Sequence, residues 1–149
     1  MNEGEDHAQS AALPPPSPAK YIERAMSATA REFYGRLADG RPPATTRCPA
    51  CEETRFPPLA RCPSCGGDVE WVELPRQGSL YAFTTQESAI RFPAPAVLAL
   101  VQLGDVIVPA IAGAPYEDLE IGDEVEVEGM AVPEIGLTLL RAFKPPTVR

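Results

Sequence analysis

Apolar residues recur at helical spacing near the start of the chain. From Ala19 to Ala38 they lie three or four positions apart, which predicts a helix with one apolar stripe. Its members are Ile22, Met26, Ala30, Phe33, Tyr34 and Leu37. Ser27 is a suitable N-cap for a second helix if the segment breaks there, and Gly40 with the prolines after it predicts the end of the helix. We expect the stripe to pack on the protein's own domain or on a partner subunit.

From Gly78 onward the pattern changes to short runs that are typical of strands. Apolar runs on either side of Gly104-Asp105 predict a hairpin with a two-residue turn. Strict alternation from Glu124 to Glu128 predicts a strand with one face in water. The predicted strands are Leu80–Thr84, Ala96–Leu103, Val106–Ala112, Glu124–Glu128 and Leu137–Phe143. Pro109 interrupts the third of them and is expected at an edge or a bulge, because proline has no N–H to donate.

Five short strands in the second half of the chain predict a small barrel. The longer link at residues 115–122 suits the bridging segment of an OB-fold. A five-stranded sandwich remains open as the alternative.

The four cysteines of the chain form two Cys-x-x-Cys pairs with ten residues between them. They are Cys48, Cys51, Cys62 and Cys65. Two such turns facing each other close a tetrahedral sulfur cage, so the spacing predicts a structural zinc ion with no open coordination position. Two disulfides or a redox pair of the thioredoxin type are the alternatives. Residues 1–10 are acidic and polar, unlike a secretory signal peptide, and we therefore expect a cytoplasmic protein with reduced thiols.

Composition divides the chain into four parts. Residues 1–18 end in a proline-rich run and are expected to form a disordered tail. The helical segment then covers residues 19–43, the zinc ribbon residues 44–75 and the barrel residues 76–149. The predicted fold class is mainly β with an N-terminal helix, in which a rubredoxin-like zinc ribbon precedes a five-stranded OB-fold barrel. No apolar run reaches the roughly 18 residues that a membrane-spanning helix needs, so no membrane association is expected.

The net charge of −8 disfavours general binding to nucleic acids. Residues 92–149 carry nine acidic side chains against three basic ones, whereas residues 20–91 are nearly balanced. Zinc ribbons and OB-folds both serve nucleic-acid-binding proteins, but that role needs a basic groove with stacking aromatic residues. A nucleic-acid-binding module is therefore kept only as the alternative function, and no nucleic-acid partner is expected.

The order of helix, cysteine ribbon and barrel, together with short motifs, resembles a known family. The motifs are Phe33-Tyr34-Gly35-Arg36-Leu37, Cys48-x-x-Cys51, Phe56-Pro57-Pro58, Cys62-Pro63-x-Cys65-Gly66, Gly78-x-Leu80-Tyr81-Ala82-Phe83-Thr84, Ala99-Leu100-Val101-Gln102-Leu103 and Glu117-Asp118-Leu119-x-Ile121-Gly122. The family is that of the zinc-ribbon/OB-fold accessory proteins, formerly a domain of unknown function, that assemble with thiolase-like enzymes. The likeness runs from Ser27 to Phe143. Glu52 departs from the family pattern, in which glycine is common directly after the first cysteine pair.

The resemblance implies an accessory role beside a thiolase-like or hydratase-like enzyme. Partners of the family include acetoacetyl-CoA thiolase, hydroxymethylglutaryl-CoA synthase, steroid side-chain retro-aldolases and some C-acyltransferases. In the family the accessory protein helps to form the acyl-CoA channel, while the partner usually supplies the catalytic groups. The resemblance therefore implies a non-catalytic subunit, with a coenzyme A thioester bound together with the partner.

The residues themselves offer little catalytic chemistry. The only histidine, His7, lies in the predicted tail, and the four thiols are committed to metal, so no Ser-His or Cys-His pair is available in the folded body. Glu124, Glu126 and Glu128 share a strand face that is expected to lie in water, without the burial that tunes catalytic carboxylates. The sequence thus predicts that the chain is not an enzyme by itself. A stand-alone acyl-CoA carrier or thioesterase is a further alternative.

Ten residues are candidates for contact with the partner or with acyl-CoA. They are Phe33, Arg36, Arg41, Phe56, Pro57, Pro58, Tyr81, Phe83, Arg91 and Phe92. The arginines are candidates because a guanidinium group binds phosphate through forked donors. Phe56 and the prolines after it form either a wedge for the partner or the packing of ribbon against barrel. Tyr81, Phe83 and Phe92 either line an acyl or pantetheine groove or belong to the core.

Overall fold

The computed structural model describes residues 26–88 and 96–146, which hold one α-helix, a short 3₁₀ helix at Tyr116–Asp118, a small three-stranded sheet and a closed barrel. The tail predicted for residues 1–18, the start of the predicted helix at residues 19–25 and the candidates Arg91 and Phe92 lie outside the described residues. Within the two described ranges, no helix is both long and apolar enough to cross a bilayer.

Helix α1 spans Ala28–Ala38 and begins directly after the N-cap that the sequence offers. The Ser27 hydroxyl oxygen accepts a hydrogen bond from the Ala30 N–H at 3.1 Å, and the Ser27 backbone is extended. The break that the sequence allowed at Ser27 is therefore present, and α1 does not continue back along the apolar stripe. At the other end Gly40 has a φ of +76°, which glycine adopts without strain, and the helix ends as predicted.

The cysteine ribbon is built on three short antiparallel strands in the order β2-β1-β3. The strands are β1 (Ala44–Cys48), β2 (Glu53–Arg55) and β3 (Glu70–Glu73). Buried Thr46 accepts a hydrogen bond from the Leu59 N–H at 2.8 Å, and the hydroxyl of buried Thr45 donates to the Arg55 carbonyl. These two bonds fix the proline-rich arm that follows β2. The arm is not helical, as its prolines predict.

Five strands form a closed barrel in the order β4-β5-β6-β8-β7. They are β4 (Gln77–Gln86), β5 (Ala96–Leu103), β6 (Val106–Ala112), β7 (Glu124–Val132) and β8 (Leu137–Phe143). Neighbouring strands are antiparallel except β6 and β8, whose short parallel pairing closes the barrel. This closed five-stranded arrangement confirms the OB-fold and excludes the sandwich. The bounds of β5, β6 and β8 are those predicted, whereas β4 and β7 are longer.

Closure of the barrel depends on β4, which changes partners along its length. Its first residues pair with β7 and the later ones with β5, and Gly78 lies at the crossing. A Cβ at Gly78 would lie 2.1 Å from the carbonyl oxygen of Gln102, so only glycine permits this approach. A register shift between Leu80 and Ala82 then leaves Tyr81 as a bulge residue.

The core of the barrel continues into the helix. Val101 and Leu103 are fully buried in the barrel, and Phe33 and Leu37 of α1 belong to the same cluster. The helix approaches Gly129 of β7 closely, since a Cβ there would lie 2.9 Å from the Leu37 carbonyl oxygen. Helix and barrel therefore share one core.

Pro109 lies at an edge of the barrel, as predicted. It is opposite Leu100 of β5, on the part of β6 that precedes the pairing with β8. That pairing begins only at Ile111. A residue without an N–H is tolerated at such an edge position.

Candidate metal centre and docking groove

Both cysteine pairs lie in tight turns that are closed in the same way. The Glu52 N–H donates to the Cys48 carbonyl at 2.8 Å, and the Gly66 N–H donates to the Cys62 carbonyl at 2.8 Å. The residue after each pair has a positive φ, +57° at Glu52 and +72° at Gly66. The left-handed conformation costs a non-glycine residue about 1–2 kcal/mol, so the first turn is strained where the family pattern favours glycine.

The four sulfur atoms form a cage of the size that zinc requires. The Sγ atoms of Cys48 and Cys65 are 3.6 Å apart, those of Cys51 and Cys62 are 3.9 Å apart, and all four lie within 4.8 Å of one another. A tetrahedral ion with Zn–S bonds of about 2.3 Å places its sulfur ligands about 3.8 Å apart. The residues therefore fit a zinc ion, and a site with four protein ligands is typical of structural zinc.

The thiols of the cage differ in acidity. Hydrogen bonding to the Cys65 side chain raises the pKa of Cys51 to about 12, whereas the Cys65 backbone N–H lowers the pKa of Cys62 to about 6. Four thiolates at this distance repel one another, so a bound cation is needed for all four to be ionised together. Two backbone N–H groups stabilise negative charge on the sulfur atoms. The Cys51 N–H lies 3.4 Å from the Cys48 sulfur, and the Gly67 N–H lies 3.3 Å from the Cys65 sulfur.

Neither alternative to the metal fits this geometry. Sulfur separations of 3.6 and 3.9 Å far exceed a disulfide bond, and all four cysteines are free. A thioredoxin-type motif lies in a βαβ unit, whereas no α-helix follows either cysteine pair in the described chain.

An apolar groove lies where the helix, the ribbon arm and the barrel meet, and its volume is about 440 Å³. It is lined chiefly by Ala30, Phe33 and Tyr34 of α1, by Phe56, Pro57 and Pro58 of the arm, and by Leu98, Pro109, Ile111 and Leu139 of the barrel. Among the described residues, no charged side chain lines it. A groove of this size and composition suits apolar groups of a partner or ligand.

Three aromatic rings shape one wall of the apolar groove. The ring centroid of Phe33 lies 5.1 Å from that of Tyr34 and 5.5 Å from that of Phe56. Phe33 is buried, whereas Tyr34 and Phe56 are half-buried, and burial raises the pKa of Tyr34. Phe56 thus packs the ribbon arm on the helix and also presents part of its ring at the surface.

The outer face of the barrel beside the groove is apolar as well. Positions that alternate with buried ones on a barrel strand normally carry polar side chains. Here those of β5 and β6 include Leu98, Leu100, Ile107, Pro109 and Ile111, which we call the outer apolar face, and Gln102, opposite Ile107, is the polar exception. Leu100 is opposite Pro109 and Leu98 is opposite Ile111, so these side chains share one surface. An exposed apolar patch of this kind marks an interaction site.

Four of the ten candidate contact residues meet at the apolar groove, namely Phe33, Phe56, Pro57 and Pro58. The two described arginine candidates do not line it. Arg36 lies over the Trp71 ring at 4.9 Å and pairs with Glu32 at 2.9 Å, and its side chain is only 14% exposed. It therefore joins the helix to the ribbon, whereas Arg41 is exposed to solvent.

The aromatic candidates of β4 lie apart from the groove. Tyr81, at the bulge, is 52% exposed and is not a core residue. Phe83 is half-buried, and its ring centroid lies 5.0 Å from that of Tyr116. Phe83 also lines a shallow apolar depression together with Leu98 and Leu100. It is therefore linked to the outer apolar face, although not to the groove itself.

The glutamates of β7 lie on the solvent-facing side of the strand, as predicted. Glu126 accepts a hydrogen bond from Gln77 at 3.1 Å, and Glu128 pairs with Arg141 at 3.0 Å. Between them Val125 and Val127 point into the core, each 2% exposed. These carboxylates line neither the metal cage nor the apolar groove.

Sequence reasoning missed the contribution of the barrel to the groove. Leu98, Pro109, Ile111 and Leu139 were assigned to strands but not to a site. The available signal is the apolar character of β5 and β6, which only Gln102 interrupts, because a strand with both faces apolar is expected to be covered on both.

Two family models match adjacent parts of the chain. The rubredoxin-like zinc ribbon domain of ChsH2 matches residues 45–71, and the C-terminal OB-fold domain of ChsH2 matches residues 71–129. Together the two matches cover more than half of the chain.

Known proteins show the same relationship. The benzoylsuccinyl-CoA thiolase subunit BbsA of Thauera aromatica is 48% identical over 50 residues, which are 32% of this chain and 35% of BbsA. The chain thus matches about a third of that relative's length. A solved structure, the Ltp2-ChsH2(DUF35) aldolase, is 28% identical with a TM-score of 0.68, covering 80% of this chain and 97% of that chain.

A second solved structure supports the fold alone. A DUF35 protein of unknown function from Sulfolobus solfataricus is 15% identical with a TM-score of 0.54, covering 84% of this chain and 92% of that chain. The four-cysteine ribbon, the closed barrel and the two matched domains agree, and the chain belongs to the ChsH2-type (DUF35) family of zinc-ribbon/OB-fold proteins.

Proposed function

We propose that this chain is a non-catalytic accessory subunit of an acyl-CoA-processing complex, in which it docks a thiolase-like enzyme. The observation that carries the proposal is the apolar groove together with the outer apolar face. Exposed apolar surface of this kind is expected to be covered by a partner. The zinc ribbon holds Phe56 and the prolines after it against the helix, and so supplies one wall of the groove.

The nature of the relatives supports a thiolase-like partner. BbsA is a subunit of a thiolase that acts on benzoylsuccinyl-CoA, and the ChsH2 relative is part of an aldolase. A hydratase-like partner is the second possibility within the same class. In either case the partner would supply the catalytic groups, because the described residues bring together no nucleophile and base outside the metal cage.

The chemistry of the barrel surface favours a protein partner over a nucleic acid. OB-folds bind oligonucleotides on the face of their second and third strands, which correspond here to β5 and β6. In this chain that face carries leucine, isoleucine and proline instead of cations and stacking aromatic residues. Such a surface cannot neutralise phosphates.

A coenzyme A thioester would be bound at the joint surface of the two subunits. The uncharged groove suits the acyl or pantetheine part of such a ligand. Exposed Arg41 remains a candidate for its phosphates, whereas Arg36 is already engaged with Trp71 and Glu32. A reducing compartment such as the cytoplasm would keep the cysteines available for zinc.

Co-expression with a thiolase-like enzyme of the same organism tests the proposal. The zinc-loaded chain is expected to co-elute with that enzyme as a stable complex and to raise its activity on acyl-CoA, while the isolated chain hydrolyses no acyl-CoA. Separate elution without any effect on activity would count against the accessory role. Hydrolysis by the isolated, zinc-loaded chain would show instead that it is an enzyme.

A further inference from the structure

The loop between β6 and β7 presents an exposed isoleucine. Ile121 is 73% exposed, more than any other large apolar side chain of the described chain. It lies next to the bulge of β4, because the Gly122 N–H donates to the Leu80 carbonyl at 2.8 Å and the Leu80 N–H donates to the Asp123 carbonyl at 2.9 Å. Tyr81 at that bulge and Tyr116 at the start of the loop are 52% and 47% exposed.

Hydrogen bonds and an ion pair tie the loop to the barrel beside Ile121. Gly122 has a φ of +94°, which favours glycine. The Asp123 carboxylate accepts a hydrogen bond from the Glu120 N–H at 2.9 Å and pairs with Lys144 at 2.9 Å. The Glu120 N–H, with a further contribution from Lys144, lowers the pKa of Asp123. Because Ile121 is pre-organised in this way, little ordering entropy is lost when a partner covers it.

The charges around Ile121 are almost all negative. Acidic residues of the segment are Glu117, Asp118, Glu120, Asp123 and Glu124. Lys144 pairs with Asp123, and no ion pair within the described residues neutralises the other four side chains. We call the surface formed by Tyr81, Tyr116, Ile121 and these carboxylates the acidic end of the barrel. An apolar centre with a charged rim is the usual anatomy of a protein interface.

The acidic end lies beside the surface already assigned to docking. The ring of Tyr116 contacts that of Phe83, and Phe83 lines the shallow depression shared with Leu98 and Leu100 of the outer apolar face. A subunit that covers the outer apolar face therefore reaches the acidic end. Charge complementarity then requires positive charge on the part of that subunit which meets the carboxylates.

We propose that the acidic end is a second docking surface, which receives a basic patch with an apolar recess on the catalytic subunit. The rim carboxylates steer association, and Ile121 fills the recess and slows dissociation. The identity of the partner rests on the proposed function, whereas the sign of its charge follows from the residues of this loop.

Association kinetics with the co-purified thiolase-like subunit test this proposal. The double variant Glu117→Lys/Glu120→Lys is expected to lower the association rate constant about tenfold at low salt and to weaken its salt dependence. The control Glu73→Lys/Glu134→Lys makes the same change of charge at exposed positions in the ribbon and at the far end of β7, and is expected to leave the rate within about twofold. Ile121→Ala should raise the dissociation rate constant several-fold and leave association unchanged.

The outcomes separate the two proposals. Zinc content and circular dichroism of each variant first show that it is folded. If the wild-type chain binds the subunit and both double variants associate equally fast, the acidic end is a solvated loop and this inference is wrong, while the accessory role stands. If the wild-type chain does not bind at all, the accessory role fails and this inference fails with it.

Discussion

At the residue scale, the two cysteine turns share one backbone geometry but not one residue type. Gly66 closes the second turn without strain, while Glu52 closes the first in the same left-handed conformation. The sequence showed this departure from glycine, but only the backbone shows that the turn keeps its geometry in spite of it.

Introducing glycine at position 52 and replacing the glycine at position 66 are expected to change zinc affinity in opposite directions. Glu52→Gly removes strain of about 1 kcal/mol and should tighten zinc binding about fivefold. Gly66→Ala introduces the same strain and should weaken binding by a similar factor. Competition with a chromophoric chelator measures both constants. A shift in the same direction for both variants would mean that backbone strain does not distinguish the turns.

At the element scale, the strands were predictable where the apolar pattern was continuous. β5 and β6 match their predicted bounds because each is an apolar run bounded by turn residues. β7 extends to Val132, although the strict alternation ends at Glu128. The alternation is interrupted by Gly129, where the approach of α1 leaves too little room for a Cβ. Tyr81 is exposed because of the bulge in β4, which local sequence does not announce.

Two glycine-to-alanine variants test the close approach of β4 to β5 at Gly78, because one glycine is crowded and the other is not. Gly78→Ala places a Cβ 2.1 Å from the Gln102 carbonyl oxygen, so it should destabilise the fold by several kcal/mol or prevent folding. Gly35→Ala is the matched control: it lies in helix α1 with nothing within 4 Å of a Cβ, and it should stabilise the protein by about 0.5–1 kcal/mol. Urea denaturation at neutral pH measures both. A Gly78→Ala variant as stable as the wild type would refute the close approach.

At the scale of the whole molecule, the proposed docking site belongs to no single element. The helix gives Phe33 and Tyr34, the ribbon arm gives Phe56, and the barrel gives Leu98 and the edge residue Pro109. The metal ligands could be predicted because all four follow from local spacing. The groove could not, since it depends on how three elements pack, and that packing is set by contacts distant in sequence, such as Phe33 with Phe56.

The proposed docking is tested most directly by the affinity of the zinc-loaded chain for the proposed thiolase-like subunit, measured by isothermal titration calorimetry for two matched variants. Leu100 on the outer apolar face and Leu59 beside Cys62 are both leucines that are 38% exposed. If the partner docks on this face, Leu100→Ser raises the dissociation constant about tenfold, or about 1.4 kcal/mol, while Leu59→Ser leaves it unchanged. Equal affinities for the wild type and both variants would contradict docking through this face.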